Sequence, residues 1–395
     1  MKTGIATVPL DYGHCPRWLF ERMRRLARSI TLIIVEEFGT EEFLKRLSDP
    51  IWFQSFGCVL GFDWNSSGLG VTTLGALKSG IFDIQDRLGI YVCGGKKTSR
   101  QTPHEIDAYG RSRGFDFAPN LIYASRIVAK VDSSLVQDGF SIYQHNFIFN
   151  QLGQWVVVQQ GMNIDVQKAR RYHWFSEKIS NFLEEPHAGI ISQRNEKIIP
   201  LNLIAKESKK NKEISFKMIK EEPHNFLRYI EKINAKNLPI KKTNKDSFKE
   251  HNNLFWQRRL PGFCEIELEN VEFQYHSVLK EKFDLKRLKK ITEKAHFLQP
   301  ESFEKLLMIE GIGPKTIRAL SLVAEIIYGK KPSYQDPARY TFSVGGKDGT
   351  PYFVERNTYD SLLGVIEKGI EKAKISLKEK DEAKIRLFKA YGKNK

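Results

Sequence analysis

Cysteine is scarce: four residues in a chain of 395, at 15, 58, 93 and 264, none at the close spacing of a metal knuckle. They read as reduced thiols of a cytoplasmic protein, which argues against a structural zinc and a cysteine-ligated cluster. Long apolar runs are lacking too, so no segment is expected to span a membrane. The opening Met-Lys-Thr-Gly-Ile-Ala-Thr has no signal-peptide core. There is no internal repeat and no low-complexity tract. Acids are outnumbered, with 47 Asp and Glu against 63 Lys and Arg, for a net charge of +16 and a pI near 9.4. That balance favours a polyanionic partner. What is present suits a folded chain: 41% hydrophobic and 12% aromatic residues, and a length that suggests two or three domains.

Apolar spacing predicts a helix from Arg17 to Phe38, with Leu19, Met23, Leu26, Ile30 and Ile33 inward and Gly39 as its stop. Asp49-Pro50 reads as a cap and first-turn proline opening a second helix. A short strand is expected at 89–93. Helices are expected from Thr102-Pro103 and over 121–131. Residues 140–162 alternate as a β-hairpin, with its turn at 150–153, and 169–175 reads as a further strand. From 205 lysines crowd in, and the reading is a helical connector to about 260. A second hairpin or extended loop is expected at 341–354, followed by a basic helical region from 358.

Residues 309–316, Ile-Glu-Gly-Ile-Gly-Pro-Lys-Thr, lie between two apolar helical patterns. Gly311 and Gly313 permit a tight turn and leave N–H groups uncovered, and Pro314 suits a first helical turn. Exposed amides at a helix N-terminus favour an anion, with Lys315, Thr316 and Arg318 beside them. The segment resembles the helix-hairpin-helix motif. That resemblance implies a grip on DNA backbone phosphates without sequence readout, involving Gly311, Ile312, Gly313, Lys315, Thr316 and Arg318. The fold expected is therefore an α/β or α+β N-terminal domain (1–204), the connector (205–260) and a mainly α-helical C-terminal domain (261–395) containing a helix-hairpin-helix.

The N-terminal domain is rich in acids, amides and histidines. Asp63, Asp132, Asp138, His145, Glu185 and His187 are candidate catalytic residues. Asp132, Asp138, Glu184 and Glu185 are candidate ligands for Mg²⁺ or Mn²⁺, which take oxygen donors. Two such ions would activate water for phosphodiester cleavage. Arg170 and Arg171, beside Tyr172, His173 and Trp174, are candidate DNA contacts. The plainer alternatives are helix caps for Asp132 and Asp138, exposure for the glutamates and a satisfied sheet histidine for His145. Whether Gln159 or Gln160 faces His145 depends on the turn register. Gly94-Gly95-Lys96-Lys97-Thr98 lacks phosphate-loop spacing and reads as a basic turn.

Gly329, Pro332 and Asp336 after the turn resemble the order found in helix-hairpin-helix DNA glycosylases. That implies a transition-state role for Asp336; a turn before Pro337 is the alternative. Across nearly its whole length the chain resembles a family of archaea and thermophilic bacteria, domain of unknown function 763. The likeness rests on 16–20, 36–40, 58–63, 129–133, 159–162, 172–174, 184–187, the glycine turn and 345–349. It implies a prokaryotic cytoplasmic protein and no established activity. The resulting expectation is a nucleoid-associated DNA-binding protein, a metal-dependent nuclease of repair or recombination. The alternatives are a glycosylase and a non-enzymatic DNA-binding or scaffolding protein.

Overall fold

The computed structural model describes residues 2–4, 15–62, 67–96, 100–191, 199–236, 282–338, 368–371 and 376–391. In chain order the first elements are β1 (Lys2–Gly4), α1 (Arg17–Ser48), α2 (Pro50–Leu60), α3 (Gly68–Ile81), α4 (Gln85–Leu88) and β2 (Ile90–Lys96). Then come α5 (Thr102–Arg113), α6 (Ala118–Ser134), β3 (Val136–Gln137), β4 (Ser141–Asn150), β5 (Trp155–Asn163), β6 (Lys168–Phe175), β7 (Gly189–Ile191) and β8 (Leu201–Asn202). Helices α7 (Lys209–Glu221), α8 (Pro223–Lys236), α9 (Leu285–Leu298), α10 (Phe303–Met308) and α11 (Pro314–Ile326) follow, with a last helix at Leu377–Tyr391. The chain divides into two units, the first holding 1–132, 139–198 and 336–395, the second 133–138 and 199–335.

Unit 1 is built on a sheet of order β1-β7-β6-β5-β4-β2, antiparallel except for the β1–β7 pair. Period-two alternation sends successive side chains to opposite faces. On one face Ile148, Val156, Val158 and Phe175 share a core with Met23, Leu26, Ile30, Trp52, Phe53 and Leu77 of α1–α3. On the other, Phe149 and Phe147 stack on Tyr91 and Trp155. Each such side chain contributes roughly 1.5–3 kcal/mol when buried. Asp49 caps α2, its Oδ1 accepting from the amides of Ile51 at 2.9 Å and Trp52 at 3.3 Å. Gly39 interrupts α1 with φ 86°, but the helix resumes to Ser48.

The last helix and residue 370 also belong to unit 1, where Ile370 and Ala383 are buried and Glu379 pairs with Arg22 at 3.2 Å. The described residues 368–371 and 376–391 thus group with unit 1 and not with the helices of unit 2. The reason is their apolar side, which covers α1 and α2.

Unit 2 combines the two-stranded β3–β8 sheet with α7–α11. The lysine-rich segment expected as a connector instead supplies two packed helices, burying Ile214, Met218 and Ile219 on α7 and Phe226, Tyr229, Ile230 and Ile233 on α8. Asn211 Nδ2 ties α7 to the carbonyls of Ser321 at 3.0 Å and Lys330 at 2.6 Å. Lysines lie between these apolar positions, Lys209 and Lys210 exposed, Lys217, Lys220 and Lys232 half-buried and Lys212 buried, and they mask the apolar spacing in the sequence. Residues 237–281 and the hairpin expected at 341–354 lie outside the described residues.

Candidate functional site

The central strands of unit 1 carry polar side chains on both buried faces. Register pairs His145 with Gln159, and Gln144 with Gln160. Toward α6, Ser125 Oγ donates to His145 Nε2 at 3.0 Å, and His145 Nδ1 donates to Gln159 Oε1 at 2.8 Å. Gln159 Nε2 in turn donates to Asp132 Oδ2. The same oxygen accepts from Trp174 Nε1 at 2.9 Å, and Oδ1 accepts from His187 Nε2 at 2.6 Å. Asp132 is therefore a fully buried hub, held by groups from β5, β6 and the loop before β7. The His187 ring lies 4.5 Å from that of Trp174, and its Nδ1 is buried with no hydrogen-bond partner among the described residues.

On the opposite face Arg171 Nε donates to His173 Nε2 at 3.1 Å and His173 Nδ1 donates to the Leu47 carbonyl at 3.0 Å. Arg171 also reaches Gln54 and lies 4.7 Å over the Phe53 ring. Arg170 is buried as well, pairing with Asp336 at 2.7 Å and lying over Phe140. Neither arginine is a surface DNA contact, which corrects the expectation. Consecutive residues of β6 face opposite sides of a covered sheet. Desolvation brings the Arg171 guanidinium down to about 10.

Asp336 spends Oδ2 on Arg170 and Oδ1 on the amide of Ala338 at 2.9 Å, the turn geometry expected before Pro337.

Of the proposed catalytic set, Asp132, His145 and His187 share one network. Asp138 is buried in unit 2, Glu184 is half-buried, and Glu185 is exposed with φ 45°. Asp63 lies outside the described residues. Among the described residues no three His, Cys, Asp or Glu side chains converge as a metal site. His145 has both ring nitrogens occupied, as a satisfied sheet histidine does.

Burial holds the His145 imidazole below its usual range and His173 well below, with the neighbouring Arg171 charge adding to the latter. Both therefore stay neutral in the fold while their unfolded counterparts protonate near pH 6.5. Their stabilisation is complete above that pH and is lost as pH falls toward the folded values. Each histidine removes at most about 1.4 kcal/mol per pH unit in this window. Urea unfolding at about pH 7.5 and about pH 5.5 checks this, and equal stability at the two would contradict it.

In unit 2, α10 and α11 are joined by a turn in which Ile312 is buried and Gly311, Pro314 and Lys315 are exposed. Gly311 has φ 98°, a conformation that side chains oppose. Gly313 precedes α11 and offers no side-chain cap, so the Lys315 and Thr316 amides have no acceptor within the helix. The Thr316 side chain itself is buried. Gln137 of β3 braces this end, donating to the Pro314 carbonyl at 2.9 Å and accepting from Arg318 Nε at 2.7 Å.

The model of a family described as a protein of unknown function, DUF763, matches residues 4–354. The chain belongs to this family. No curated protein and no solved structure matches it. DUF763 membership thus spans both the polar layer and the glycine turn but assigns no role to either. Among the described residues no helix is long and apolar enough to cross a membrane.

Within the DUF763 span, sequence reading missed Ser125, Gln54 and Trp174 as members of the polar layer. A signal was present: polar residues at consecutive positions of β4, β5 and β6 cannot all face solvent. Cys58 and Cys93 are buried, and among the described residues neither forms a disulfide.

Proposed function

We propose that the chain is a DNA-binding protein that holds the sugar–phosphate backbone at the turn between α10 and α11, in the manner of a helix-hairpin-helix. The observation that carries this reading is Gly313. Its φ of −149° is open to any residue, and among the described residues a Cβ placed there would meet no heavy atom within 4 Å beyond its chain neighbours. Neither the backbone nor the packing of the described residues asks for glycine at this position. A ligand approaching the backbone closely does. The uncapped amides of α11, the exposed Lys315 and the net charge of +16 support a phosphate in that place.

Cleavage with Mg²⁺ or Mn²⁺ has less support, because the Asp132 oxygens are taken by three protein donors. A glycosylase role for Asp336 is weakened likewise by its bonds to Arg170 and Ala338. The reading that fits best is therefore a backbone-directed binding protein.

The test is a salt titration of DNA affinity. Lys315→Ala should lower the slope of log affinity against log salt by about one unit. Gly313→Val should weaken binding about equally on unrelated sequences. Wild-type slope and affinity in both variants would leave the turn a purely structural feature.

A further inference from the structure

Helix α9 borders the same turn. Its buried face carries Leu288, Ile291, Thr292 and Ala295, and a Cβ on Gly311 would lie 3.2 Å from Ile291. Lys294 Nζ reaches the Glu310 carboxylate at 3.2 Å, one residue before Gly311. Beside that buried face runs a stripe at spacings of three and four residues: Arg287, Lys290, Lys294 and then Phe297. The three basic residues are exposed, and Phe297 is 86% exposed. Leu298 next to it is 52% exposed. Gln299 ends the helix with φ 42°, its Nε2 donating to the His296 carbonyl at 2.7 Å, so the last turn is closed.

A row of cations that ends in an open aromatic face has a definite chemical complement. The cations follow phosphates, and the ring stacks on a base. A base inside a duplex is covered on both faces by its neighbours. Only an unpaired base offers a free one. An apolar protein partner fits less well, because Phe297 and Leu298 are flanked along the chain by Glu293, Lys294, His296 and Glu301, with no other large exposed hydrophobic on α9. Phe297 lies three residues past Lys294, roughly 4.5 Å further along the helix axis.

We infer that α9 is a second DNA contact, on which Phe297 stacks against an unpaired base, so that the ligand class is DNA with single-stranded bases beside the gripped backbone. This rests on the backbone-binding reading and names its substrate class.

The experiment uses the full chain, a blunt duplex and the same duplex carrying a single-stranded tail with 2-aminopurine at its first unpaired position. Wild type should bind the tailed DNA tighter by on the order of tenfold and quench the 2-aminopurine. Phe297→Ala should erase both effects and leave blunt-duplex affinity unchanged, while Phe297→Trp keeps both. Equal wild-type affinity for the two DNAs would overturn the inference, as would unaltered tail binding by Phe297→Ala, which would leave the patch to a protein partner. In either case, weaker binding of both DNAs by Lys315→Ala would show that the backbone grip survives without it. If neither DNA is bound, both readings fall.

Discussion

Gly94→Ala is expected to be among the most damaging single-methyl changes in the chain. Gly94 sits in β2 with φ 85°, and a Cβ there would lie 2.1 Å from the His145 carbonyl oxygen and 2.7 Å from Thr102 Oγ1. Its amide donates to Glu105 at 3.1 Å and its carbonyl accepts from Lys78 at 3.1 Å, so the strand cannot slide to make room. The left-handed conformation costs a side chain about 1–2 kcal/mol. Overpacking against a backbone atom adds about 1–3 kcal/mol. The sum is a large part of a stability of about 5–15 kcal/mol. Gly114→Ala is the control, since Gly114 has φ 69° and, among the described residues, nothing within 4 Å of a Cβ placed there. Denaturant unfolding of both variants decides: a Gly94→Ala loss no larger than that of Gly114→Ala would contradict the packing described. Gly94 thus answers to its own strand pairing and not to a phosphate.

Asp132→Ala should be strongly destabilising, because Asp132 is the buried acceptor of three side-chain donors. The carboxylate is the acceptor for His187, Trp174 and Gln159, and its loss strands three buried donors, each penalised by about 1–3 kcal/mol if it finds no substitute. The loss should appear as a lower unfolding midpoint in denaturant. A metal-ligand role predicts the opposite pattern, because separating a catalytic carboxylate from its like-charged neighbours leaves stability intact or raises it. An Asp132→Ala protein that unfolds at the wild-type midpoint but has lost an activity would return Asp132 to the catalytic set.

Local signals were the legible ones. The alternation over 140–162 and the turn at 150–153 match β4 and β5 to within a residue at the outer ends, and Asp49-Pro50 caps α2 as the residue types require. The choice between Gln159 and Gln160 needed the register itself, which gives His145 to Gln159. Asp132 could be read as a cap or a ligand from its neighbours alone. Its partners at 159, 174 and 187 come from three other segments, and no local pattern announces them. The adjacent Arg170 and Arg171 suggested a phosphate surface, although strand periodicity already separates such neighbours onto opposite faces. The last helix joins unit 1 by burying Ala383 against the core of α1 and α2, with Glu379 pairing to Arg22, across a sequence separation that leaves no trace in composition. In α7 and α8, apolar residues at helical spacing were hidden among interspersed lysines.

The central claim, that DNA phosphate sits at the head of α11, is tested most directly by backbone amide resonances of the full chain during titration with duplex DNA. The Lys315 and Thr316 amides, which have no acceptor within the helix, should shift most and in step with saturation. The Lys315→Ala protein should show the same shifts only at higher DNA concentration. Saturable DNA binding that leaves the amides of 311–317 unmoved while resonances elsewhere shift would contradict the account.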